Sequence, residues 1–552
     1  MIVYTSVDSA PQLQKCRLKA FLIRTILSYV ALGGVGACQQ KTETAKGDIL
    51  SVENSIPLCV GGGGSRDILK NITKPVFRTG IGNSHLEITT KNKEAQRWFD
   101  QGLNHLHGFW HLEAYRAFQQ VVENDPDCAM GYWGVALCQP GFGGDDKSVW
   151  QEAIEKATAL SGTVSSVEKD FIKAAAVLVN QGLTETTLQV FKKLYQTYPD
   201  EPEAIAWASI MLRQHEKEES QQEAIQLLEK AMRRFPENVA LMHYYIHVME
   251  LRHEFAKAIP VAEQMVKIAP NAPHITHMPG HLYYLKGSYE NAINAYAKAK
   301  KQETDYHISE KIPFSANQNY VHNLHFLAVV QAEAGDEKGA LETASSLANI
   351  TLEMQPINEG AAMMLHYEGK VLPAWVHIRF GEWQKAVVYL ETLLNDSQRS
   401  IQHSLVANYY QTLRLYCLGM QAVRQQRLQE ANQYGMELSQ LMQQYEQQGA
   451  TKQATAEFKS INETYDIMNM MRYELAGWVD NMDKTQPFNE AAWKEALSLQ
   501  SAIKYDEPPR LMAPVEEQLA LLRKFRGEQT AYRQAKQQAL QKRPNSKRIQ
   551  LI

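Results

Sequence analysis

Two histidine pairs stand out by residue type and spacing: His243 with His247, and His277 with His281. Imidazoles at i and i+4 lie about one turn apart on one helix face, a spacing that lets two neutral rings reach one metal ion. The second pair follows the first after 34 residues, so in a stack of helix pairs of that period the two would sit side by side. Glu250 extends the first face by three residues, and His274 stands three before the second pair. The candidate metal ligands are therefore His243, His247, Glu250, His274, His277 and His281, with Glu250 also the candidate general base. Two such helices offer three imidazoles and a carboxylate to one divalent ion, or nearly two sites. This ligand mix suits zinc, copper, nickel or non-haem iron, and spacing does not choose among them. HExxH is absent, so the chain is not a zincin.

The elements that position these side chains are helical. From about Glu94 onward nothing reads as a strand-rich domain. Against the pattern W-x2-L-G-x2-Y…A-x3-F…P, Trp98, Gly102, Ala114, Phe118 and Pro126 fall on the expected positions. Later helix pairs end at Pro199, Pro236 and Pro270, with Ala224 and Ala258 at the small-residue position of each second helix. Another runs through Gly280, Gly287, Ala292 and Tyr296, and the register slips across a loop before resuming at Ala328, Gly335 and Ala340. Weaker copies follow near Trp383, Gly419 and Leu519. The sequence thus resembles a tetratricopeptide-repeat protein, all-α, an α-solenoid of about nine helix pairs. Phrases such as DPDCAMGYWGVAL, HYYIHVME, HITHMPGHLYYLKGSYENAI and YDEPPRLMAPV resemble a broad group of bacterial tetratricopeptide proteins. That likeness implies shared architecture and brings no reaction with it.

At 100° per residue, positions 4, 7, 8 and 11 of a repeat form the packing stripe, while positions 2, 5, 9 and 12 share another face. In tetratricopeptide proteins that second face looks like the lining of a concave groove. His243, His247 and Glu250 take positions 5, 9 and 12; His274, His277 and His281 take 2, 5 and 9 of the next repeat. His322 and His325 take 2 and 5 of the one after, so His322, Asn323 and His325 read as further groove residues. Two functions fit this face. One is a groove that binds a peptide, protein or small molecule, with a divalent metal ion; the other is a metal-dependent enzyme, hydrolase or oxidoreductase, using the His/Glu cluster. Pro279 predicts a kink between His277 and His281. His105, His107, His111 and Glu113 point in scattered directions and read as packing and capping groups.

Composition excludes other classes. With 44% hydrophobic and 21% charged residues the chain is globular, and a net charge of −4 offers no basic field for nucleic acid, which is not expected as a partner. GxSxG, GxxxxGK[ST] and GxGxxG after a strand are all missing. Residues 1–37 read as a signal peptide: Lys15, Arg17, Lys19 and Arg24 precede an apolar run, and Val35-Gly36-Ala37-Cys38 resembles the lipobox of bacterial lipoproteins. Cys38 would then be the lipidated first mature residue, giving an exported cell-envelope lipoprotein that meets the membrane through its lipid anchor only. Residues 38–92, with Gly61 to Ser65, read as a flexible tether. The expected order is then an N-terminal solenoid over 93–303, a loop over 304–316 and C-terminal repeats over 317–552.

Overall fold

The computed structural model describes residues 73–138, 148–215, 217–351, 364–400, 404–447, 459–503, 508–510 and 512–552; the expected signal, Cys38 and 39–72 lie outside them. Among the described residues there is no strand, and helices follow one another in pairs. The pairs are α1 (Lys93–His107) with α2 (His111–Asn124), α3 (Ala129–Leu137) with α4 (Ser148–Leu160), and α5 (Ser166–Gln181) with α6 (Glu185–Thr197). Next come α7 (Pro202–Gln214) with α8 (Glu218–Arg234), α9 (Val239–Leu251) with α10 (Phe255–Ile268), and α11 (Pro273–Lys286) with α12 (Tyr289–Glu310). α13 (Gln318–Glu333) pairs with α14 (Glu337–Ala348), α15 (Leu372–Arg379) with α16 (Trp383–Ser400), and α17 (Ser404–Arg424) with α18 (Leu428–Gln447). Last are α19 (Lys459–Asn481) with α20 (Ala491–Ala502), α21 (Val515–Arg526) with α22 (Gln529–Lys542), and the short α23 (Lys547–Leu551).

The pairs α3/α4 and α19/α20 are additional to those read from the sequence. α3 is AMGYWGVAL, buried at eight of its nine positions, so no one-sided stripe marks it as a helix. Two other expectations are corrected. The loop expected over 304–316 is mostly helix: α12 continues to Glu310 because Glu303, Tyr306, His307 and Glu310 in its last turns are buried. Only a single 3-10 turn, Phe314–Ala316, separates it from α13. The described part of the expected tether, 73–92, is not a free linker. It buries Ile81, Leu86 and Ile88, and hydrogen bonds join it to later repeats: Asn271 N–H to the Gly80 carbonyl oxygen at 2.8 Å and Thr89 N–H to Glu168 Oε1 at 2.7 Å.

Hydrophobic burial holds the helices to one another, about 25 cal/mol for each Å² of apolar surface removed from water. In α9 every residue from Val239 to Glu250 is buried, and in α11 every one from Pro273 to Leu282. A helix buried on all sides has neighbours on all sides. His277, His281 and His322 meet Phe326, whereas against His243, His247 and His274 that neighbour is the α1–α2 turn, Gly108 to Trp110. Phe109 adopts a left-handed φ of 52° there, and its carbonyl oxygen accepts from Asn319 Nδ2 of α13 at 2.8 Å. Gly287, at φ 78°, caps α11 where a Cβ would meet the Pro544 carbonyl oxygen at 2.2 Å, so glycine is required both by conformation and by the close approach of the C-terminal segment.

Candidate metal centre

α9, α11 and α13 are the first helices of three successive pairs, and local signals set where each begins. The Asn238 side chain accepts from Leu241 N–H, Pro273 occupies the first turn of α11, and the Asn317 side chain accepts from Asn319 and Tyr320 N–H. α9 and α11 start 34 residues apart, at Val239 and Pro273, so like positions come alongside. α11 runs unbroken through Pro279. Gly280 leaves room for the Tyr296 ring, whose atoms would lie 2.6 Å from a Cβ at that position.

The histidines gather into two trios: His243, His247 and His274 in one, His277, His281 and His322 in the other. Within each trio one ligand atom from every ring lies within 4.8 Å of the others. In the first, His243 Nε2 lies 3.0 Å from His247 Nε2 and 3.1 Å from His274 Nε2. In the second, His281 Nε2 lies 3.4 Å from His322 Nε2 and in close contact with His277 Nε2. An ion bound tetrahedrally through bonds of about 2.0–2.1 Å sets its nitrogens about 3.3–3.4 Å apart; the His281–His322 pair has that spacing, the two His243 pairs fall a little under it and His277–His281 well under it. The trios adjoin: the His274 and His277 rings stack at 5.5 Å with planes 22° apart. None of the six side chains is more than 5% exposed.

In three of the six rings the outward nitrogen is held by an acceptor, which fixes the tautomer. His243 Nδ1–H donates to the His107 carbonyl oxygen at 2.6 Å. His277 Nδ1–H donates to Asn323 Oδ1 at 2.7 Å, and His281 Nδ1–H to Glu250 Oε1 at 2.8 Å. Asn323 Nδ2 donates to the Tyr296 carbonyl oxygen at 3.0 Å, so its oxygen is the atom turned to His277. In the neutral ring, a proton on Nδ1 leaves Nε2 as the lone-pair atom, and that is the atom each ring turns into its trio. Burial holds His243 down to about 3 and, with neighbouring imidazoles, keeps His274 and His277 well below the usual histidine range. These rings are neutral at pH 7, the form that binds metal.

Glu250 stands between the trios rather than inside one. Oε1 accepts from His281, and Oε2 lies 3.5 Å from His247 Nδ1. Its oxygens thus meet the outward nitrogens, the position of a residue that orients ligands. His247 and His281, which the repeat register brings to one face, fall in different trios with this carboxylate between them. His322 completes the second trio. It shares position 2 with His274, a signal visible in the sequence. Asn323 orients His277, whereas His325 turns to the next repeat, its Nδ1 3.2 Å from Glu368 Oε2, while Glu368 Oε1 pairs with Arg510 Nε at 3.2 Å. His107 is committed on both nitrogens, to Tyr244 Oη at 2.7 Å and Glu203 Oε2 at 2.6 Å, and contributes only its carbonyl oxygen. Phe109 escaped the sequence reading. Its ring covers the first trio, 4.7 Å from His243, 5.1 Å from His274 and 5.6 Å from His247. The turn motif His107-Gly108-Phe109-Trp110 gave no indication of where it docks.

Successive helix pairs with a 34-residue offset and small residues where helices cross decide the architecture. The fold is a tetratricopeptide-repeat solenoid. No family model and no curated protein matches the chain. Among solved structures the solenoid is similar to a tetratricopeptide repeat protein from Parabacteroides merdae, at 13% identity and TM-score 0.33, covering 55% of this chain and 98% of that one. It is also similar to a MamA double mutant, at 18% identity and TM-score 0.27, covering 32% and 90%. A human IFIT1 dimer with m7Gppp-AAAA matches at 13% identity and TM-score 0.36, covering 74% and 83%. These likenesses concern the repeat architecture and carry nothing about chemistry.

Proposed function

We propose that this solenoid is a metal protein, holding one divalent transition-metal ion in each tri-histidine trio. The observation that carries the reading is the convergence of three ring nitrogens in each trio, His277 Nε2 and His281 Nε2 facing each other in the second. Both rings spend their Nδ1–H on acceptors, Asn323 and Glu250, so the neutral pair turns lone pair against lone pair. Without a cation that contact is repulsive, and burial opposes a proton there. A metal ion, drawn to lone pairs and indifferent to tautomer, satisfies both rings and His322 together. Three imidazoles, two of them with ordered outer partners, are a donor set for zinc or copper, and also fit nickel or iron.

Such a set leaves the ion a fourth position, as in catalytic rather than structural zinc sites, where a bound water is acidified toward neutral pH. That supports the second reading, a metal-dependent hydrolase or oxidoreductase. In it His243, His277 and His281 are pre-aimed ligands and Glu250 holds rings in place, with all six histidines buried. Peptide gripping through these histidines is disfavoured by the same burial. A peptide or protein partner would meet other surfaces of the solenoid, an architecture well suited to extended binding faces. We also read residues 1–37 as an export signal and Cys38 as the lipidated first mature residue that tethers the solenoid to the cell envelope; incorporation of labelled fatty acid that is lost in Cys38→Ala tests this.

The metal reading is tested by elemental analysis of the purified chain after zinc reconstitution and removal of loose ions. Two equivalents are expected, falling to one in His243→Ala or in His277→Ala and to none in the double variant. Metal-free wild-type protein would reject the reading.

A further inference from the structure

We infer that the two trios form one coupled unit that fills in a fixed order, the His277/His281/His322 centre first, because both draw on the single carboxylate of Glu250. The inference rests on the metal reading above and concerns what that reading leaves open, whether the centres act alone or together. Glu250 is buried, 1% exposed. Its Oε1 makes a hydrogen bond of 2.8 Å to His281, and Oε2 lies 3.5 Å from His247 Nδ1.

The centres are therefore unequal in preparation. In one, two rings are pinned by side chains, His277 by Asn323 and His281 by Glu250. In the other, His243 is pinned by a backbone carbonyl and His247 has the longer contact. Ligands already in place bind metal more tightly, and outer partners of this kind contribute about 10–100-fold in affinity. An ion on His281 makes its Nδ1–H a stronger donor, which draws Glu250 further toward that ring. A second ion then meets a carboxylate already engaged and a like charge beyond the stacked His274 and His277 rings, 5.5 Å apart. By linkage, each ion weakens the other to the same degree.

The test is titration of the metal-free full chain with zinc against a chromophoric chelator, with cobalt(II) absorption to report coordination. Wild-type protein is expected to bind in two steps at least about 10-fold apart. His243→Ala should keep the tight step and lose the weak one, and His277→Ala should lose the tight step. Glu250→Gln should weaken the tight step about 10–100-fold and bring the two together. Glu250→Asp, which keeps the charge but withdraws it from His281, should do the same and serves if Glu250→Gln folds poorly by circular dichroism. Two equal and independent steps in wild type, or a tight step unmoved in both Glu250 variants, would overturn the coupling while leaving the metal reading intact. Absence of zinc binding altogether would overturn both.

Discussion

Asn323 and His277 are joined by a 2.7 Å hydrogen bond in which the ring Nδ1–H donates to the amide oxygen. The amide nitrogen is spent on the Tyr296 carbonyl, so Asn323 cannot turn round and offer a donor instead. Replacing it by alanine frees the His277 ring without touching a ligand. Zinc affinity of that centre should drop about 10–100-fold in Asn323→Ala. A chelator competition assay reads this; equal affinity in Asn323→Ala and wild type would contradict the assigned role.

Phe109 links the first repeat to the histidine face through its ring and its carbonyl oxygen. Phe109→Ala removes a buried ring that touches three histidines, at a cost of about 3–5 kcal/mol in stability by the usual large-to-small range. Urea unfolding measures this. In the zinc-loaded protein the same change should speed exchange of the ion held by His243, His247 and His274 and leave the other centre slow. A loss below about 1 kcal/mol would mean that the turn rests on the face without packing into it.

Much of this was legible in the sequence. The 34-residue offset, His243 to His277 and His247 to His281, was enough to place four rings on one face of neighbouring repeats, and Pro236 and Pro270 marked where those repeats end. The partition into trios was not legible, because helix periodicity gives the face of a side chain but not which neighbouring ring its nitrogen meets. Glu250 has the spacing of a ligand and the geometry of an orienting group for the same reason. The cover over the first trio was hidden too: it comes from Phe109, some 134 residues before His243, and no local pattern encodes so distant a contact. α12 outran the expected loop because Tyr306 and Glu310 find partners in Glu113 and Arg116, far away in the chain.

Buried titrating groups set the pH dependence of the metal-free protein. Burial holds His111 and His307 down to about 4 and His243 to about 3. Their unfolded value is about 6.5, so below that pH the unfolded chain takes up more protons and stability falls as pH drops from about 6.5 toward 4. Glu303 and Glu474 act in the opposite sense. Burial lifts both to about 8, so the stability they contribute is complete below the unfolded value of about 4.3 and is lost as pH rises through about 8. Among these groups histidines outweigh glutamates on the acid side, and the glutamates act alone above about 6.5. Urea unfolding near pH 5, 6.5 and 8 should therefore give a maximum near about 6.5, with a shallower alkaline fall in Glu303→Gln. A flat profile would contradict these environments.

The C-terminal segment is tied to α13 by a buried ion cluster. Arg379 pairs with Glu333 at 3.1 Å, donates to Glu517, and reaches Ser546 Oγ at 3.2 Å. Removing the cation strands two buried carboxylates. Arg379→Met should cost about 3–5 kcal/mol and expose residues near Ser546 to proteolysis, which limited digestion followed by mass spectrometry would detect. An unchanged cleavage pattern and unfolding midpoint would show that the cluster does not fasten this end.

The central claim is that six histidines make two metal centres with their Nε2 atoms. Anomalous diffraction at the zinc edge, on crystals of the reconstituted chain, tests it most directly. Two strong peaks are expected, one within about 2.0–2.1 Å of Nε2 of His243, His247 and His274, the other equally close to Nε2 of His277, His281 and His322. Density showing no ion in either trio, or ions held through Nδ1 or by Glu250 alone, would contradict it.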